Sequence, residues 1–294
     1  MEFLAKQPEV ELTWWGIGYE DFDQEKTLRE NLKGKQFDFI FVSKPLQFKG
    51  WEELNTPVVM DYNEMIERPN KPETALQELI SIKPSIVIAR LKHEMKMFQM
   101  MFPQIHWVHI PHSANENIFK DYGLPKIYDI TLTGVLQPEY YPFRQRLHSL
   151  LPELQKLGLK AEYGFFGKDL EAADRDQHLV DMAKYINQSK ICMTCSSFME
   201  ERLAKFVEIP AAGSVLACDP PFGYGDVMPP CIAIEPWMTD KEIIDTLLSY
   251  LKQPMKLADM QKASLEWAKE YTMDKYAKKV LQVLKNYQAK QHLS

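Results

Sequence analysis

The densest run of chemically useful side chains is Cys195-Ser-Ser-Phe-Met-Glu-Glu-Arg-Leu-Ala-Lys-Phe-Val-Glu-Ile-Pro-Ala-Ala-Gly-Ser-Val-Leu-Ala-Cys-Asp219. It reads as a strand end, a polar cap, a helix over 200–207, a glycine and a second strand. Ser196 and Ser197 are placed to cap that helix, and the unpaired N–H groups and positive dipole end of a capped helix suit a phosphate or a sugar hydroxyl. Glu208 falls at the far end, where no dipole favours an anion, so it asks for another reason. Standing alone, the Lys205–Glu208 spacing is that of a surface helix pair worth a few tenths of a kcal/mol.

Other candidates are scattered more widely. Gly16 and Gly18, in Trp15-Gly16-Ile-Gly18, follow a predicted strand and precede a predicted helix, which would let backbone N–H groups approach a phosphate or an acceptor; a plain turn is the alternative. Asp61, with Tyr62 and Asn63, ends another predicted strand and is a candidate acceptor contact. His93 and His112 lie near predicted element ends, and His93 is the candidate catalytic histidine. The four cysteines, Cys192, Cys195, Cys218 and Cys231, include a C-x2-C pair, but Cys192 lies inside an apolar, strand-like run rather than a glycine-flanked knuckle. Reduced, buried thiols are the expectation, with a zinc or redox protein as the competing reading.

Short β-rich runs alternating with helical stretches must position these residues, which is the pattern of an α/β protein with parallel sheets. Strands are expected at 11–15, 37–43, 57–61, 85–89 and 105–110, then at 129–133, 161–166, 190–194, 214–218 and 231–234. Helices are expected at 21–33, with Asp21 as cap, 73–82 and 91–101, then at 143–157, 179–188, 200–207, 240–252, 257–271 and 274–288. The polar stretch from Pro111 to Phe119 is the candidate linker. The organisation is therefore a first Rossmann-like domain over 1–111, a second over 120–272 and a terminal helix over 273–294. Two such halves facing one another would bind ligand between the carboxyl ends of their sheets.

Composition bounds the function. With 35 Lys+Arg against 41 Asp+Glu the net charge is −6, which argues against a broad nucleic-acid-binding face. No apolar run approaches the ~20 residues of a membrane span and the first residues lack a signal-peptide pattern, so a cytoplasmic protein is expected.

Several pieces together resemble the nucleotide-sugar glycosyltransferases of the GT-B fold. Lys205-Phe-Val-Glu208-Ile-Pro-Ala-Ala-Gly213 is similar to their K-x-x-E signature, and Glu200 stands at the spacing of the earlier Glu in the E-x7-E pattern of retaining members, with Glu201 as a neighbouring competitor. Ile110-Pro-His-Ser-Ala-Asn-Glu-Asn-Ile-Phe119 resembles their hinge. Tyr128-Asp-Ile-Thr-Leu-Thr-Gly134 followed by Tyr141-Pro-Phe-Arg144 is most like the CgeB-like branch.

The resemblance implies a GT-B fold with a reduced first domain. It also implies transfer of a sugar from a UDP- or GDP-sugar to an acceptor hydroxyl, of hexosyltransferase type and with retention of configuration. Glu208 would accept the donor ribose hydroxyls and Glu200 the sugar hydroxyls. Gly134, Ser196, Ser197, Lys205 and either Arg144, the favoured choice, or Lys168 would meet the diphosphate. Asp21-Phe-Asp23 matches a metal-binding D-x-D, but that motif belongs to another fold, so no catalytic metal and no cofactor are expected. The acceptor would be a glycan, a lipid-linked molecule or another hydroxyl. The basic, amphipathic last helix admits a peripheral contact with an anionic membrane face, docking on the first domain being the commoner arrangement. The alternatives are a non-catalytic sugar-nucleotide binding protein and an epimerase or hydrolase on the same fold.

Overall fold

The structure, a computed structural model, describes residues 2–42, 48–66, 71–164 and 172–291. The chain divides into two compact units, residues 1–111 with 276–294, and residues 112–275.

In the first unit, strands β1 (Ile40–Val42), β2 (Val58–Tyr62), β3 (Ile86–Ala89) and β4 (His106–His109) form a parallel sheet in the order β1-β2-β3-β4. Every residue of β3 is buried, as a strand covered on both faces requires; hence its unbroken Ile-Val-Ile-Ala run. Helices α1 (Glu2–Ala5), α2 (Leu28–Leu32), α3 (Lys71–Ile82) and α4 (Lys92–Met101) accompany it. Glu94 of α4 is fully buried, and its carboxylate accepts the N–H groups of Met65 (2.5 Å) and Ile66 (3.0 Å), fixing the loop after β2.

Two expectations for this unit fail. Residues 11–15 form no strand, and the helix expected over 21–33 shrinks to α2. Its cap is Thr27 rather than Asp21: Thr27 Oγ1 accepts the Glu30 N–H while the Glu30 carboxylate accepts the Thr27 N–H, a reciprocal pair that sets the helix start. Asp23 and Asn31 hold the preceding residues in turns, because the Asn31 amide accepts the Asp23 N–H and donates to the Asp23, Lys26 and Thr27 carbonyls. Side-chain bonds of this kind compete with helix formation.

In the second unit, β5 (Tyr128–Thr133), β6 (Ala161–Gly164), β7 (Ser189–Met193), β8 (Val215–Cys218) and β9 (Cys231–Ala233) pair in parallel in the order β6-β5-β7-β8-β9. Its helices are α5 (Pro142–Lys156), α6 (Ala172–Asn187), α7 (Lys205–Ala211), α8 (Asp240–Leu251) and α9 (Pro254–Ala268); α10 (Met273–Gln291) follows and from Tyr276 on belongs to the first unit. The core is built from Ile130, Leu132, Leu147, Ile191, Val215 and Ile232 among others. Burial favours pairing of polar groups, and several are paired here: Thr131 Oγ1 donates to Ser189 Oγ (2.9 Å), and Lys126 Nζ donates to the Asn187 (2.6 Å) and Gly213 (2.5 Å) carbonyls. Burial lowers the Lys126 ammonium to about 8. All four thiols are free, with Cys231 only half-buried, and burial pushes the Cys192 thiol up, which leaves it unreactive.

The helix expected over 200–207 starts five residues late, at Lys205. Glu200 has a left-handed φ of 52° and the side chains of Glu201 and Arg202 turn wholly inside, so residues 196–204 form a loop. Ser196 and Ser197 therefore do not cap α7, and Glu208 lies in its first turn, where the dipole favours an anion. The end of α7 is set locally. Gly213 has φ 75°, its N–H meets the Pro210 carbonyl, and the Ser214 N–H meets that of Ile209, the paired closure of a left-handed C-terminus. A Cβ there would stand 3.3 Å from Asn187 Nδ2 and from the Asp121 carboxyl carbon. Gly213→Ala is expected to cost about 1–2 kcal/mol, measured as a lower urea midpoint with an unchanged slope.

The start of α10 is fixed by Glu116, whose carboxylate accepts the Met273 (3.0 Å) and Asp274 (3.3 Å) N–H groups. Farther along, its Tyr276, Ala277, Val280 and Leu284 are buried. No helix among the described residues is long and apolar enough to cross a membrane.

Candidate functional site

In a parallel sheet the loops after the carboxyl ends of the strands gather along one edge, where side chains from distant sequence positions converge. In the second unit that edge holds a cavity of about 760 Å³. The start of α5 contributes Pro142, Phe143 and Arg146, and the loop after β7 contributes Ser196, Ser197, Phe198 and Glu200. Asp219, two prolines and Phe222 follow β8; Glu235, Pro236 and Trp237 follow β9.

Three carboxylates share this space in different states. Asp219 accepts both the N–H (2.7 Å) and the hydroxyl (2.6 Å) of Ser196, yet burial still holds its carboxyl above the ordinary value. Burial raises Glu235 too, followed by the neighbouring charges of Asp219 and Glu200. Glu200 is exposed and held in the left-handed region by the turn in which its N–H bonds the Ser197 carbonyl (2.9 Å). A non-glycine residue in that region costs ~1–3 kcal/mol and is kept where its surroundings over-determine it, often at working sites.

Arg144 is 2% exposed and is absent from the cavity lining. It lies 4.1 Å over the Tyr141 ring and donates to the Val135 carbonyl (2.9 Å), Thr194 Oγ1 (3.3 Å) and the Cys195 carbonyl (3.3 Å). It thus ties the loop after β5 to the end of β7. Gly134, with φ 110°, passes beneath it and its carbonyl accepts the Tyr163 hydroxyl (2.9 Å). Glu208 and Lys205 form a partly buried ion pair with each other and do not line the cavity. Lys168 lies outside the described residues.

Of the remaining candidates, all but His112 belong to the first unit. Both Asp61 oxygens are engaged by Arg90 (3.1 and 2.7 Å), whose guanidinium lies 4.1 Å over the Tyr276 ring. His93 is half-buried in the first turn of α4. Gly16 and Gly18 have positive φ in turns with open space around them, but with no strand before them and the next helix at Leu28 they form no phosphate-binding loop between strand and helix. His112 is buried in the second unit.

Ser196, Ser197 and Glu200 are thus the sequence candidates that come together. Asp219, Glu235, Arg146, Phe222 and Trp237 had not been singled out. Asp219 and Glu235 each follow a strand's carboxyl end closely, so the rule that such positions face ligand would have found them. Nothing local marks the two aromatics.

No protein-family model and no curated protein sequence matches the chain. Solved structures do. Sucrose-phosphate synthase from Thermosynechococcus elongatus superposes with TM-score 0.57 at 13% identity, over 89% of this chain and 76% of that one. HepE of Anabaena, solved with UDP, gives 0.54 at 13% identity over 85% and 79%. The pneumococcal O-GlcNAc transferase GtfA, in complex with UDP and GlcNAc, gives 0.55 at 15% identity over 80% of this chain, which spans about half, 54%, of GtfA. At such identities the likeness establishes architecture. The chain has the GT-B fold, with two Rossmann-like units each built on a parallel sheet.

Proposed function

We propose that this chain is a glycosyltransferase that moves a sugar from a nucleoside diphosphate sugar to an acceptor hydroxyl. The observation that carries the reading is Glu200, a strained, exposed carboxylate in the cavity at the carboxyl edge of the second sheet. Structural neighbours that are glycosyltransferases, two of them solved with UDP, support it.

In this reading Glu200 holds sugar hydroxyls of the donor, consistent with a retaining, metal-independent transfer of a hexosyl unit. Lys205 exchanges Glu208 for donor phosphate, and Glu208, so released, accepts the ribose hydroxyls. Arg144 and Gly134 keep the strand ends in register. A second reading, hydrolysis of the donor, is favoured by Glu235, which shares the cavity with Glu200 and Asp219 and whose carboxyl is raised by burial and then by those two charges.

Thermal unfolding with UDP, GDP, ADP, CMP and their sugar conjugates tests the reading. Binding to the folded state alone adds about 2.7 kcal/mol at a hundredfold excess over Kd. One nucleotide is expected to raise the melting temperature, and Glu208→Ala to abolish the shift. Glu200→Gln is expected to keep it while lowering nucleotide release in the presence of acceptor by ~10²-fold or more. Release without acceptor would favour the hydrolase. Absence of any shift overturns the donor site.

A further inference from the structure

The cavity is both anionic and aromatic, and that combination selects a ligand class. Its carboxyl groups, Glu200, Asp219 and Glu235, line one space, and Glu235 is raised by burial first and then by the charges of the other two. Arg146 is the one cation among its described lining residues, and all three guanidinium nitrogens are engaged: Nε with Asp240 (2.8 Å), Nη1 with the Pro236 carbonyl (2.7 Å) and Nη2 with the Met238 carbonyl (2.5 Å). An anionic group entering here meets three carboxyl groups against a single guanidinium that is already held by Asp240 and two carbonyls.

A neutral polyol meets the opposite. Carboxylates accept its hydroxyl hydrogens, as charge-assisted bonds roughly twice as strong as neutral ones. The rings of Phe198, Phe222 and Trp237, left 46%, 81% and 78% exposed, offer flat faces to the C–H side of a pyranose. Large apolar side chains gathered in the open around polar groups mark a binding site rather than a core.

We infer that this cavity is a subsite for a neutral sugar unit and that it rejects uronic acids and other anionic sugars. The inference deepens the glycosyltransferase reading and rests on it for turnover, though not for recognition. The charged part of a donor then lies outside this cavity.

Saturation-transfer NMR with methyl glucoside, methyl galactoside, methyl N-acetylglucosaminide and methyl glucuronide tests it without any nucleotide. At least one neutral glycoside is expected to receive saturation on its ring protons, with the glucuronide at least tenfold weaker. Trp237→Ala and Phe222→Ala are each expected to weaken the neutral signal at least tenfold while melting at the wild-type temperature, since both rings are mostly in solvent. The paired change Glu200→Gln with Glu235→Gln is expected to narrow the discrimination against glucuronide. The inference is overturned if no neutral glycoside binds, if glucuronide binds as well, if removing either ring leaves the signal intact or if the paired change leaves the discrimination intact. Sugar binding without any nucleotide shift sinks the transferase reading and leaves this one standing; a nucleotide shift without sugar binding does the reverse.

Discussion

Gly134→Ala is expected to lower the stability of the chain by about 2–6 kcal/mol, as two costs add. The first is conformational: φ is 110°, where an L side chain is strained by ~1–3 kcal/mol. The second is steric. An added Cβ would stand 2.7 Å from Arg144 Cζ, 2.8 Å from Nη1 and 2.9 Å from Nε. The guanidinium cannot withdraw, because the residue is 2% exposed, bonded to Val135, Thr194 and Cys195 and laid on Tyr141. Overpacking of this kind adds ~1–3 kcal/mol. Urea unfolding measures the sum, and a cycle with Arg144→Ala divides it, since without the guanidinium only the backbone cost remains at position 134. A cycle with no coupling would remove the steric half of the argument. Nucleotide binding should fall with stability, as Gly134 and Arg144 join the ends of β5 and β7.

Arg202→Met is expected to act in the opposite direction, raising stability by about 1–3 kcal/mol. Arg202 is fully buried, and none of its three guanidinium nitrogens finds a hydrogen-bond partner among the described residues. Its compensation is aromatic, with the Tyr271 ring 4.4 Å and the Trp267 ring 5.1 Å away, contacts worth up to ~2 kcal/mol each when desolvated. Desolvation wins: it lowers the guanidinium from its ordinary value to about 10. The folded form therefore holds fewer protons than the unfolded one from about pH 10 up to the ordinary guanidinium range, and the penalty is present in full at every lower pH. Methionine keeps the length and the contact with the rings while removing the charge. A melting temperature several degrees higher at pH 7 is the expected readout; a lower one would mean that the two rings outweigh desolvation. Because Arg202 follows Glu200 by two residues, the same variant tests whether the buried cation holds the strained turn. If it does, nucleotide release should slow although the protein is more stable.

The order of elements was readable along the chain. Runs such as Ile86–Ala89 and Ile191–Met193 are apolar without alternation because a parallel strand is covered on both faces. Gly213 was readable as the break between helix and strand, since its left-handed closure involves only near neighbours, although the helix expected to end at 207 runs on to Ala211. The C-terminal glycine and a GT-B outline therefore followed from sequence alone, with most strand ends placed to within one or two residues.

Tertiary structure decided where pairing between distant residues overrides local preference. Asp61 is bonded to Arg90, 29 residues away, and Ser196 to Asp219, 23 residues away, so neither side chain does what its immediate neighbours suggest. The start of α7 moved from 200 to 205 because Arg202 is packed on the rings of Trp267 and Tyr271. Asp219, Glu235 and Trp237 meet because parallel strands bring their carboxyl ends to one edge. Local residue patterns determine which segments become strands and helices, whereas the side chains sharing a cavity are selected by strand order and register, which act across the whole sheet.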